Sequence, residues 1–181
     1  MTMKRKAYVL MLMALLVTET VGVCGCSDDD EDDTSITVDF QLQDEEGNEC
    51  YTFSEGDNIV FRLELKNNTD SNAIIKPIYE VIGFNAFRVY SKSGKDMGTP
   101  WDSFNANYLA HNVIMACSSK VLVCPWFDIP SLYDSGVEHH YSHLFNKTEE
   151  KSPLPKGEYY SMFDVKLNNR TITCKRTFKI H

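Results

Sequence analysis

No apolar run in this 181-residue chain is long enough to cross a bilayer as a helix, which takes about 20 residues. Basic charge is scarce too: 18 Lys and Arg face 26 Asp and Glu, a net charge of −8, so the chain lacks the electrostatic footprint of a nucleic-acid binder. Gly-x-Ser-x-Gly, phosphate-loop and dinucleotide glycine patterns are missing, which removes the commonest serine-hydrolase, nucleotidase and dinucleotide-enzyme readings. Beyond Cys26 no two cysteines have the CxxC spacing of a metal site, and the carboxylates are scattered with no pair placed for acid–base work.

What is present begins at the N-terminus. Lys4, Arg5 and Lys6 precede an apolar run of eleven residues, Ala7 to Val17. A basic start, a short apolar core and small residues near a cut site describe a secretory signal peptide. The stretch Val21-Gly-Val-Cys-Gly-Cys26 follows, then six consecutive acids, Asp28 to Asp33. With Gly25 before Cys26 and Val23 three residues back, the cut site resembles a bacterial lipoprotein box. Cys24, behind the bulkier Val23, is the less fitting alternative. The expected organisation is a signal peptide over 1–25, a lipidated Cys26 with an acidic tether over 26–33, and one domain over 34–181. The acids repel one another and cannot build a core, so an extended, solvated tether is expected. An acidic run directly behind a lipidated cysteine also resembles the export signal of Bacteroidota-type surface lipoproteins. That resemblance implies display on the outer face of the outer membrane; the alternative is a spacer on the periplasmic side.

Setting aside the basic start, Glu19 and the acidic run, the remaining chain carries 19 acids and 15 bases, a charge near −4. Its length suits one domain. It holds Cys50, Cys117, Cys124 and Cys174. An exported compartment permits disulfides, and four cysteines allow three full pairings. Cys117 and Cys124 stand seven apart along one expected strand, too far to bond unless the chain folds back. Cys50 with Cys174 is the favoured bridge, because first and last strands often adjoin in sandwiches; free thiols throughout are the other outcome.

The dominant period is two. Ile36, Val38, Phe40 and Leu42 alternate with polar residues, and Asp44 to Asn48 turns the chain. Ile59, Phe61, Leu63 and Leu65 form the cleanest strand, with Arg62, Glu64 and Lys66 on its other face. Asn67 to Asn72 is a turn cluster, and a weaker alternation from Ala73 to Tyr79 ends near Pro77. Phe87 to Tyr90 and Val121 to Phe127 read as strands, and Trp101 to Asn112 as irregular. Tyr159, Ser161, Phe163, Val165 and Leu167 alternate, as do Ile172, Cys174, Phe178 and Ile180 in the last strand. No amphipathic helix stands out. Short strands with regular turn signals predict an all-β antiparallel sandwich. The long interruption is Ser131 to Pro155, bounded by prolines and expected to be an exposed functional loop tolerant of shortening.

Phe53-Ser-Glu-Gly-Asp-Asn-Ile-Val-Phe-Arg-Leu-Glu-Leu-Lys-Asn-Asn-Thr-Asp70 resembles the second-strand signature of the bacterial intracellular proteinase inhibitor family. Phe87 to Lys95 with Trp101 resembles its middle strands, and Leu154-Pro-Lys-Gly-Glu-Tyr-Tyr160 its penultimate strand entry. The resemblance implies an immunoglobulin-like antiparallel β-sandwich. The chain departs from that family by its anchor, by an added strand before Phe53 and by the Ser131–Pro155 insertion. It offers no inhibitory loop to carry over.

Two groups have chemical potential. His139 and His143 stand four apart beside Glu138 and on a helix would share a metal, but position 140 is His where the zincin pattern needs other chemistry. Among loop aromatics, Trp101, Tyr108 and Tyr133 are the candidates to stack on a sugar or peptide. The expectation is a non-catalytic, membrane-anchored binding module for a glycan, peptide or partner protein, with no cofactor and no nucleic acid. The alternatives are a proteinase-inhibitor-like module and a metal-dependent hydrolase working through residues 138–143.

Overall fold

The structure is a computed structural model and describes residues 36–105, 113–127 and 144–181. Every described residue belongs to one compact unit, Asp32–His181. The fold is an all-β sandwich, as the period-two pattern predicts. One sheet has three antiparallel strands in the order β1 (Ile36–Gln43), β3 (Val60–Asn67), β9 (Ser119–Pro125). The other has five, in the order β2 (Thr52–Phe53), β12 (Thr171–Ile180), β11 (Gly157–Lys166), β5 (Val89–Ser91), β6 (Asp96–Gly98). Among the described strands only β2 runs parallel to its neighbour, with Lys179 beside Thr52. Two short pairs complete the described strands: β4 (Ala73–Ile74) with β8 (Val113–Ile114), and β7 (Ser103–Phe104) with β10 (Phe145–Asn146).

The inward residues of both sheets meet in one core. Phe61, Leu63 and Leu65 are fully buried, while Arg62 and Glu64 face outward, as the alternation requires. Phe40 of the smaller sheet meets Phe163 of the larger edge to face, with ring centroids 4.9 Å apart. At the centre sits Phe87, within 5.9 Å of Phe40, 5.7 Å of Phe61, 5.2 Å of Phe163 and 5.7 Å of Phe145. Its φ of 64° is rare for a bulky side chain and is held because the ring fills the middle of the core. This left-handed residue also corrects the expected Phe87–Tyr90 strand: pairing starts only at Val89, once the chain has turned.

Three further expectations are corrected. Instead of strand up to Tyr79, a short helix, α1, spans Ile78–Ile82 between Pro77 and Gly83. Ile78, Val81 and Ile82 are buried at helical spacing, and Gly83 ends the helix at φ 63°. The end of the long interruption is not an exposed loop. Leu144, Phe145 and Leu154 are buried, β10 pairs with β7, and the indole of Trp126 donates to the Ser152 carbonyl at 2.9 Å. Residues 131–143 of that interruption lie outside the described ones.

The favoured disulfide is also absent, because neither Cys50 nor Cys174 is bonded to another cysteine. Pairing of β2 with β12 covers only Thr52 with Lys179 and Phe53 with Ile180, and the Cys50 amide donates to the Leu42 carbonyl of β1 at 2.9 Å. The Cys50 thiol instead donates to the Thr52 carbonyl at 3.0 Å, and Cys174 points into the core.

Candidate functional site

Alternation on β11 and β12 sends Glu158, Tyr160 and Met162, and Lys175, Thr177 and Lys179, to the outward face of the larger sheet. Register then builds a site. Tyr160 lies opposite Tyr90 on one side and Thr177 on the other. The two tyrosine rings stack, with centroids 5.2 Å apart and planes 21° from parallel. Lys175, one residue pair along, extends over the Tyr160 ring with its ammonium 4.6 Å from the centroid. Across β12 the outer strand supplies Tyr51, whose hydroxyl donates to the Glu49 carboxylate. Burial, followed by that acidic partner, raises the Tyr51 hydroxyl above its ordinary pKa, so it stays a neutral donor and acceptor.

These residues enclose an open groove of about 530 Å³, floored by Thr177 and walled by Tyr51 on one side and by Tyr160 with Lys175 on the other. One end is closed by Lys92 and Glu158, which pair at 2.6 Å. Lys92 holds the Glu158 carboxyl below its usual range, so it remains ionised at neutral pH. The groove therefore offers tyrosine rings, hydroxyls and ammonium groups together. That is the equipment for gripping a polar ligand with one apolar face.

A second depression, of about 450 Å³, lies between Trp126, Phe127 and residues 147–151. Its wall is held by Asp102, whose carboxylate accepts from the Thr148 amide at 2.6 Å, the Glu149 amide at 3.2 Å and the Lys151 ammonium at 2.6 Å. The lysine first, and then the backbone donor of Thr148, push the Asp102 pKa far below the ordinary carboxylate value. Asp102 is thus a staple between two loops. Among the described residues no three His, Cys, Asp or Glu gather as a metal site would require, and no helix is long and apolar enough to cross a membrane.

Trp101 is a correction. It is only 2% exposed, its indole donates to the Ala86 carbonyl at 2.9 Å, and it packs on Phe104 and Phe145. It is a core residue and no ligand reaches its face. Tyr108, Tyr133, His139, His143 and Cys26 lie outside the described residues. The stacked pair Tyr90 and Tyr160 was not among the expected site residues. The only available signal was that both are aromatics at outward positions of alternating strands. No protein-family model, curated protein or solved structure matches this chain.

Proposed function

We propose that the protein is a lipid-anchored lipoprotein, held by Cys26 and displayed at the surface of the outer membrane, whose sandwich is a non-catalytic module that binds a glycan. The observation that carries the binding reading is an open groove lined by Tyr51, Tyr160, Lys175 and Thr177, with Tyr90 stacked behind Tyr160. A sugar ring has an apolar C–H face that seats on an aromatic plane, and hydroxyls that bond to Thr177, Lys175 and the Tyr51 hydroxyl. An outward, half-buried tyrosine pair does nothing for the core and would otherwise leave apolar ring area in water. The anchor reading rests on the sequence of the leader, Gly25-Cys26 and the acidic run.

The test is affinity electrophoresis of the purified protein through gels containing a panel of polysaccharides, with assays against proteases run in parallel. The expected outcome is retardation by at least one glycan, weakened about tenfold by Tyr160→Ala, the equivalent of 1.4 kcal/mol, at an unchanged melting temperature. Retention of full binding by the Tyr160 variant would remove the groove from the reading. Inhibition of a protease, with no glycan retarding the wild type, would replace it with the inhibitor alternative.

A further inference from the structure

The outward face of the larger sheet holds more cations than it neutralises. Alternation along β12 turns Lys175, Thr177 and Lys179 outward, and β11 places Met162, Tyr160 and Glu158 opposite them. The acids on this face are engaged. Arg88 pairs with Asp96, and the Thr173 hydroxyl donates to Asp164 at 2.7 Å. Glu158, the one acid among the described residues lining the groove, pairs with Lys92 at 2.6 Å and lies in the field of Lys179 across the strands. Lys92, Lys175 and Lys179 thus line the groove against a single carboxylate, so it carries three positive charges and one negative within a chain of net charge −8. Lys175 has no acid partner among the described residues. Its ammonium rests 4.6 Å from the centroid of the Tyr160 ring, which holds it at the groove wall.

Neighbouring acids do not cancel this charge. Asp44, Glu45, Glu46 and Asp57 line a separate depression with Cys50 and Thr52. Glu49 accepts from the Tyr51 hydroxyl, on which Arg176 also acts. At physiological salt a charge is felt over about 8 Å, so the groups lining the groove set its sign. The acidic run Asp28 to Asp33 precedes Ile36, whose carbonyl accepts from Arg170 just before β12. Lys175 stands five residues further along, roughly 16 Å of strand.

We propose that the groove takes an anionic glycan, whose carboxylate or sulfate groups meet Lys175 and Lys179 while its hydroxyls meet Thr177 and the Tyr51 hydroxyl. This deepens the glycan reading above and rests on it. A neutral chain in the groove would take unneutralised ammonium groups partly out of water and return only neutral hydrogen bonds. An anion returns charge-assisted bonds, which are shorter and roughly twice as strong. Lys175 and Lys179 are four residues apart on one face of β12, about 13 Å. A chain charged on successive sugars therefore meets both, with Thr177 between them.

Matched polymers separate charge from shape. The purified full-length protein, in non-ionic detergent, is run through affinity gels holding polygalacturonate or its methyl ester, and a sulfated galactan or its desulfated form. Each pair keeps one backbone and differs in charge. At least one charged member is expected to retard the protein about tenfold more strongly than its uncharged partner, and the responding pair identifies carboxylate or sulfate as the group read. Lys175→Met and Lys179→Met are each expected to weaken that retardation about tenfold at an unchanged melting temperature, since both side chains are exposed. Lys175→Arg is expected to retain most of it. Salt at about 1 M, where screening acts within about 3 Å, is expected to abolish it. Equal retardation by both members of a pair overturns the inference and, if Tyr160→Ala still weakens it, leaves the glycan reading standing. Displacement by polyglutamate as readily as by free polygalacturonate also overturns it, because the groove would then read charge alone. Retardation by no polysaccharide, charged or neutral, removes the inference and the glycan reading together.

Discussion

The outward faces of the two sheets share one core and one alternation, yet they are finished differently. On the three-stranded sheet the outward groups bond to one another. Gln41 donates to Asp39 at 2.7 Å, Arg62 to Glu64 at 2.7 Å, and Ser119 to the other Glu64 oxygen at 2.6 Å. On the five-stranded sheet the corresponding positions carry stacked tyrosines, an ammonium over a ring and a groove. Packing cannot account for the difference, because side chains on either outward face add little to the core. A self-satisfied polar face is what a sheet needs for solubility alone. Tyrosines, ammonium groups and hydroxyls gathered at a groove are what it needs to hold something.

The sharpest way to break this contrast is to show that the inner faces also differ. Phe61→Ala on the smaller sheet and Phe163→Ala on the larger should each cost about 3–5 kcal/mol by cavity formation, measured by chemical denaturation. Arg62→Ala, between buried neighbours but outward and paired only with Glu64, should cost under about 1 kcal/mol. Similar losses at positions 61 and 62 would mean that β3 is not one-sided and that the comparison of faces has no basis.

Next in size is the loop staple. Removing the Asp102 carboxylate strands the Thr148 and Glu149 amides and the Lys151 ammonium, so Asp102→Ala should cost about 1.5–3 kcal/mol at neutral pH. The pKa of Asp102 is lower in the folded than in the unfolded state, so its stabilisation is present above the unfolded value near pH 4 and is lost as pH falls through the folded value. The gap between wild type and Asp102→Asn should therefore narrow below about pH 4. A gap that stays constant through acid would mean that the hydrogen bonds, not the charge, do the holding.

The architecture was legible wherever a residue's fate depends on its own strand. Ile59 to Leu65 and Tyr159 to Leu167 alternate because one face of each strand must be buried, and both are buried as the pattern predicts. It failed where distant partners decide. Trp101 sits among Thr99, Pro100 and Asp102 and reads as loop, but Phe104 and Phe145 come from both sides to bury it. Helix α1 escaped because five residues hold too few periods to compete with the strand reading of Pro77. Tyr90 and Tyr160 are 70 residues apart, and only the β5–β11 register makes them one site. The segment from Leu144 to Pro155 read as a polar insertion because Asp102 and Trp126, which tie it down, lie far back in the chain.

Glycan binding sharpens the comparison directly. If the groove is the functional face, Tyr160→Ala and Lys175→Ala should each weaken binding by about tenfold. Gln41→Ala and Glu64→Gln, on the opposite sheet, should leave it unchanged, as read by isothermal titration with a retarding polysaccharide. Equal losses on both faces would point to a global effect and would remove the distinction.

The smallest expected effect is none at all, and it concerns what holds the outer strand of the larger sheet. A native disulfide typically contributes about 2–4 kcal/mol, so a Cys50–Cys174 bridge would make stability sensitive to reductant. Here Cys50, Cys117 and Cys174 are free thiols, and they are differently placed. Cys117 is exposed, at a φ of 50° in the turn before β9, and should alkylate rapidly. Cys174 is buried against the opposite sheet, and burial pushes its thiol up to about 11. At pH 7 only about one molecule in ten thousand then carries the thiolate, which is the reactive form. Native-state alkylation followed by mass spectrometry should therefore label Cys117 first and Cys174 only on unfolding, and a reductant should leave the denaturation midpoint where it was. A midpoint that falls on reduction would mean that the outermost strand of the larger sheet is covalently held to β12, and that the groove wall at Tyr51 owes its position to that bond rather than to the Thr52–Lys179 register.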